Sequence, residues 1–227
     1  MAGTTAATRQ HGHDDDHDRE REHDDEQHLS HLPVSPRARG LLLLLGGAIG
    51  LLASMVLTVD RFRLAADPGY RPSCDLNPFI SCGTVMTSPQ AELFGFPNPL
   101  LGIAAFAVTA TLGALLLSGT VLPRWVERAL LAGLALGMVF VGWLVVAALF
   151  TIHALCPYCM VVWVVVTATF WVSLADGLDR GLLPVPRPLR GVARAVVDYR
   201  VLLTVLTIAA IAALVGVAFW DYWATLL

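Results

Sequence analysis

The sequence predicts an all-α integral membrane protein with five spanning helices and one sizeable cap outside the membrane. Three observations predict it. Hydrophobic residues make up 56% of the 227-residue chain and charged residues only 15%, where roughly 25% charged is usual for a soluble domain. The charges are unevenly placed: residues 1–39 hold nine acids and five arginines, and the rest of the chain holds nine acids and ten arginines. Four long stretches, 40–59, 93–123, 129–175 and 201–220, carry no Asp, Glu, Lys or Arg. Such a chain lacks the charged surface of an ordinary cytosolic enzyme and the basic face of a nucleic-acid binder.

Taken in order, residues 1–37 form a tail rich in Asp, Glu and His, holding six of the seven histidines. Its low apolar content cannot offset the entropy of ordering it, so it reads as a solvated disordered segment. Metal binding by its histidines is the alternative reading. A span needs about 20 mostly apolar residues. The first, over 39–60, is too long and too far from the start for a cleaved signal peptide. Residues 60–97 carry prolines and glycines throughout, yet also Phe79, Ile80, Val85, Met86, Leu93, Phe94 and Phe96. That apolar weight predicts a cap lying on the bundle, mostly irregular, with one short helix near 79–86. Pro97 and Pro99 set the start of the second span, over 98–119, because proline is tolerated in a first helical turn and not deeper. The long uncharged stretch is divided by its only turn chemistry, at 153–157, into spans over 127–151 and 156–176. A fifth span covers 200–221. Arginine gives the orientation. With the N-terminus inside, twelve arginines lie on the cytoplasmic side and only Arg61, Arg63 and Arg71 outside. The protein is thus expected in the cell inner or plasma membrane, multi-pass, with a cytoplasmic N-terminus.

On that topology all four cysteines, Cys74, Cys82, Cys156 and Cys159, face outward, into a compartment where disulfides persist. Cys156-Pro157-Tyr158-Cys159 is a Cys-x-x-Cys at a helix start. Its sulfurs come within disulfide reach on one face, and free N–H groups there favour a thiolate. Cys74 and Cys82, taken alone, also read as a structural disulfide closing a loop. A Cys₄ zinc site is disfavoured by the seven residues between them. The two pairs together make chemical sense as a relay. An outer pair meets a soluble thiol protein, an inner pair beside lipid meets a membrane-soluble two-electron acceptor, and exchange joins them. A quinone fits that acceptor. His153, three residues before Cys156, reads either as an imidazolium that lowers the thiol pKa or as an interfacial histidine at a helix end. Trp143 and Trp171 read as interface anchors.

The motifs also resemble one known family, the vitamin K epoxide reductases, membrane thiol–quinone oxidoreductases. The matching residues are Cys74-Asp75, Ser81-Cys82, Ser88, the stretch Phe94-Gly95-Phe96-Pro97-Asn98-Pro99-Leu100-Leu101-Gly102, and Cys156-Pro157-Tyr158-Cys159. The resemblance implies a four-helix catalytic core over 38–177, and leaves the tail and residues 178–227, an Arg-rich cytoplasmic loop plus the fifth span, outside it. It also implies roles. Cys159 faces the quinone, Cys156 exchanges with Cys82, and Cys74 meets the partner. Asn98 donates to a quinone carbonyl, and Ser88 supports the loop over the pocket. Where vertebrate members carry Tyr, this chain has Trp163, which still offers one donor. Bacterial members without a fused domain are similar to this chain; they oxidise a separate thioredoxin-fold protein outside the cytoplasm and use menaquinone or ubiquinone, supporting disulfide formation in exported proteins. The competing class is a metal transporter or sensor using the tail and the cysteines. It calls for ionisable residues within the spans, which hold almost none beyond His153 near an edge.

Overall fold

The computed structural model describes residues 35–67, 69–77 and 79–220, all within one compact unit that runs from Val34. Expectations for the His/Asp-rich tail up to residue 34 lie outside the described residues. Seven α-helices follow in order: α1 (Pro36–Ala66), α2 (Cys82–Met86), α3 (Asn98–Leu117), α4 (Arg124–Ala147), α5 (Pro157–Asp179), α6 (Arg190–Asp198) and α7 (Arg200–Ala218). Five of them, α1, α3, α4 with its following turn, α5 and α7, are long and apolar enough to cross a membrane. Among the described residues there is no strand, and the one β-bridge joins Ile80 to Leu155. The chain is an all-α integral membrane protein.

The helices start where the residue chemistry asks. Ser35 caps α1, its Oγ accepting the Ala38 N–H at 3.4 Å, with Pro36 in the first turn. The helix therefore begins inside what the composition assigns to the tail, which runs to residue 37. α1 also extends beyond residue 60, through Arg61 and Arg63 to Ala66. A charge-free window marks the hydrocarbon-buried part of a span and not its wet ends. The Arg-rich stretch after α5 is not simply a loop, since it contains α6, whose Arg190 and Arg194 lie opposite Val192 and Val196.

α1 packs most closely on α3. Glycine permits it: a Cβ on Gly47 would stand 2.5 Å from the Ala110 backbone nitrogen, and one on Gly113 would meet the Leu44 nitrogen. Small residues at such a seam let two spans approach to backbone contact. α5 lies against α1, α4 and α7.

One end of the bundle is closed by charge. Arg39 of α1, Glu127 of α4 and Asp176 of α5 are all buried. Arg39 Nη1 lies 2.7 Å from Asp176 and 3.5 Å from Glu127. Arg180, just past α5, reaches Glu127 at 2.6 Å and also pairs with Asp176. Two cations and two anions thus neutralise one another across three helices. Partial burial lowers the Arg180 pKa, but hydrogen bonding to Glu127 and the nearby Asp176 charge win, and the net shift is upward. The expectation of spans almost free of ionisable groups therefore needs amending. These charges, with Asp60 near the other end of α1, sit in helix ends where partners from neighbouring helices can reach them.

At the opposite end lies the cap. Tyr70 donates to Asp60 Oδ1 at 2.7 Å and Arg61 pairs with Glu92 at 2.6 Å, tying the cap to the end of α1. Its short helix, α2, falls within the expected region. Met86 packs inward, whereas Leu93, Phe94 and Phe96 stay exposed. Phe94 instead stands 6.4 Å from Phe140, which stacks on Trp143 at 5.9 Å, an aromatic group of the kind found at membrane interfaces.

Candidate redox site

Four sulfurs gather at the cap end, and local structure explains how. α4 continues into a π turn over Ala148–Ile152 and stops at His153, whose φ of 56° is the only left-handed non-glycine value among the described residues. Histidine is one of the side chains enriched in that region. The side chain is exposed, so the structure gives His153 the part of a helix-end residue. The reversal sends Ala154 and Leu155 back beneath the cap, both buried. There the Leu155 N–H donates to the Phe79 carbonyl at 2.7 Å, and the Ser81 N–H donates to the Leu155 carbonyl at 3.0 Å. This two-bond backbone clip sets the residue after Leu155, Cys156, beside the residue after Ser81, Cys82.

The cap side of the clip is held by its own turn chemistry. Asn77 Oδ1 accepts the Phe79 and Ile80 N–H groups at 3.0 and 2.8 Å, an Asx turn. Asp75 Oδ1 accepts from Ser81 Oγ at 3.1 Å and from the Gly83 N–H at 2.8 Å. Ser81 caps α2 through the Thr84 N–H at 3.1 Å. Cys82 is thus the first residue of a capped helix. It forms a disulfide with Cys74, with Cα atoms 5.7 Å apart, which removes two thiolates from any Cys₄ zinc site.

Cys156 and Cys159 are thiols. Cys156 is the N-cap of α5, not a residue of its first turn, and its Sγ accepts the Cys159 N–H at 3.4 Å. The Cys159 thiol, together with the backbone N–H groups of Cys159 and Tyr158, lowers the Cys156 pKa against the opposing effects of burial and the Asp75 charge. Cys156 Sγ stands 3.4 Å from Cys82 Sγ, van der Waals contact between a thiol and the disulfide it would attack. Cys74, Cys82 and Cys156 are 7%, 0% and 2% exposed. They form one apolar cluster with Leu57 and Met86, flanked by Leu64, Val85, Tyr158 and Cys159.

Cys159 also borders a second cluster, built from Phe106, Val141, Val145, Leu149, Trp163 and Val166, with Val215 of α7 and Phe219 just past its end. Trp163, one turn along α5 from Cys159, is 3% exposed, and its indole N–H has no hydrogen-bond partner. A buried donor left unpaired is costly and marks a place for an acceptor.

The remaining expected residues lie in the cap. Asn98 opens α3 and is buried; its Nδ2 donates to the Gln90 carbonyl at 2.7 Å and its Oδ1 accepts the Leu93 N–H at 3.2 Å. Ser88 Oγ donates to the Val85 carbonyl at 2.7 Å at the start of the Pro89–Glu92 turn. Both brace the segment between α2 and α3. Asn98 retains a second amide hydrogen that those two bonds do not use. Trp171 differs from the anchor role expected of it: its indole N–H donates to Thr207 of α7 at 3.1 Å. The Phe79–Leu155 clip was not readable from sequence, because backbone pairing between residues so far apart leaves no local pattern. The Ser81-x-x-Thr84 cap, with Asp75 behind it, was the available signal.

The fold and site together are those of a polytopic membrane protein in which a disulfide touches a thiol at a helix end. The comparison with known families agrees: the model for the Vitamin K epoxide reductase family matches residues 41–174, and the chain belongs to that family. No curated protein matches it. Membership makes it an oxidoreductase of the thiol–quinone type, acting within the bilayer.

Proposed function

We propose that the protein passes electrons from a thioredoxin-fold extracytoplasmic protein through Cys74/Cys82 to Cys156/Cys159 and on to menaquinone or ubiquinone, supporting disulfide formation in exported proteins. The observation that carries this reading is the 3.4 Å contact between Cys156 Sγ and Cys82 Sγ. The arginine distribution supports a cytoplasmic N-terminus with the cysteines outside.

A thiolate of the partner attacks Cys74, the Cys74–Cys82 bond breaks, and Cys82 leaves as a thiolate. The partner's second thiol releases Cys74 and closes the partner's disulfide. Cys82 then attacks Cys156 of an oxidised inner pair and Cys159 leaves. Cys74 attacks Cys82, restoring the outer disulfide and releasing Cys156. The state described here, outer pair oxidised and inner pair reduced, is the product of that step. A bound quinone supplies an acceptor for two electrons and two protons, which returns Cys156 and Cys159 to the disulfide. On this chain, the Trp163 indole N–H and the second Asn98 amide hydrogen are the donors suited to its carbonyl oxygens. The apolar side chains around Trp163 suit its ring, and Ser88 braces the loop above. Attack on Cys74 requires neighbouring loop residues to give way, since Cys74 is 7% exposed.

The test uses cysteine variants of the full chain in nanodiscs. Cys159→Ser leaves Cys156 as an attacking thiol without a resolving partner, so a Cys82–Cys156 mixed disulfide accumulates and is mapped by mass spectrometry. Cys74→Ser keeps quinone reduction driven by dithiothreitol and loses reduction driven by a thioredoxin-fold donor. Full donor-driven turnover in Cys74→Ser would overturn the relay.

A further inference from the structure

The fifth span lies beyond the family match, which ends at residue 174. Most of α7 faces outward: Val205, Leu206, Leu214 and Val217 are exposed. Along its inward face Thr207, Ile211, Val215 and Phe219 recur every fourth residue. Thr207 accepts the Trp171 indole N–H at 3.1 Å. Ile211 and Val215 pack into the cluster that holds Trp163 and borders Cys159. Phe219, just past the end of α7 and 5% exposed, meets Phe79 edge to face, with ring centroids 6.0 Å apart and planes at 87°. Phe79 is the residue whose carbonyl accepts the Leu155 N–H in the backbone clip.

We infer that the fifth span is a working part of the relay. Anchored on α5 through Trp171 and Thr207, it presses Phe219 against Phe79 and so keeps the clip closed, which holds Cys82 against Cys156. Phe219 and Phe79 are positioning residues that act through the backbone of the clip. The exchange they serve is redox-neutral: Cys82 thiolate bonds to Cys156 as Cys159 leaves, then Cys74 bonds to Cys82 as Cys156 leaves, and trapping through Cys156 runs that last step in reverse. The clip has only two hydrogen bonds, and it joins a cap rich in glycine and proline to a left-handed turn. A ring seated from a helix fixed in the bilayer adds a restraint at Phe79 itself, on the cap side of that joint. The inference rests on the proposed exchange between Cys82 and Cys156.

The experiment follows the rate at which the Cys82–Cys156 mixed disulfide forms in the full-length Cys159→Ser protein in nanodiscs, after the outer pair is oxidised and the reaction quenched with acid at intervals. Phe219→Ala slows trapping by roughly two- to tenfold, the range that loss of one edge-to-face pair corresponds to. Phe219→Tyr, which keeps the ring, restores it. Trp171→Phe, which frees α7 from Thr207, slows it in the same direction. Thermal midpoints are measured on the same samples, because a merely structural role lowers the midpoint and trapping together and is not rescued selectively by the ring. Unchanged trapping in Phe219→Ala overturns the inference, as does a loss that tracks the midpoint across all three variants. Failure of the parent Cys159→Ser protein to trap any mixed disulfide overturns the relay itself and is a separate result.

Discussion

Replacing Arg39 with leucine tests the charge cluster at the closed end of the bundle. Arg39 is 4% exposed and lies 2.7 Å from Asp176 and 3.5 Å from Glu127. Its removal leaves two buried carboxylates sharing Arg180, whose own side chain is 41% exposed. Breaking a buried ion pair by deleting one member costs about 3–5 kcal/mol, because the other charge stays buried and uncompensated. At about 2–4 °C per kcal/mol for a chain of this size, the thermal midpoint in detergent should fall by roughly 6–20 °C. The double variant Arg39→Leu/Asp176→Leu leaves Glu127 paired with Arg180, so it should recover at least half of that loss, a coupling that a double-mutant cycle reads directly. A single variant within about 2 °C of the parent, or a double variant as unstable as the single, would refute the view that the four charges balance as one unit.

Two further outcomes are expected. Trp163→Phe removes the unpartnered indole N–H and keeps most of the ring, so the KM for quinone should rise about five- to tenfold, the worth of one hydrogen bond, while trapping of the Cys82–Cys156 bond in a Cys159→Ser background is unchanged. Gly47→Val forces a side chain into the Ala110 backbone, so midpoint measurements should show a loss of about 1–3 kcal/mol from overpacking, with Gly133→Val, where no atom lies within 4 Å of the added Cβ, as the neutral control.

Much of the fold could be read from charge alone. The four uncharged runs, the longest divided by the turn at 153–157, located all five spans, since a bilayer admits few other arrangements of so apolar a chain. Helix ends were the weaker part. Arg39, Asp60, Glu127 and Asp176 all mark span boundaries in the sequence, yet each is buried inside a helix end because it has a partner there or a neighbouring side chain across the bundle. Such partners are far apart along the chain and leave no local trace. The same holds at the site. The cysteine spacing located both pairs, but the clip between Phe79, Ser81 and Leu155 depends on a left-handed turn at His153 and on backbone pairing. The stripe on α7 reads in sequence as four apolar or small polar residues among many, and only packing separates Phe219 from the lipid-facing side chains beside it.

The clip has a consequence for how this chain can vary. It is written in main-chain atoms, an N–H from Leu155 and an N–H from Ser81, so almost any side chain at Ile80 or Leu155 leaves both bonds in place. Proline at Leu155 or Ser81 is the exception, because it has no N–H to give. Drift among related chains can therefore run through Ile80 and Leu155, with the Phe79 ring kept for its contact with Phe219, while the distance between two sulfurs stays constant. What inheritance must preserve there is the number of residues between each clip position and its cysteine. A single insertion between Ser81 and Cys82, or between Leu155 and Cys156, would change more chemistry than an exchange of the side chains at Ile80 and Leu155.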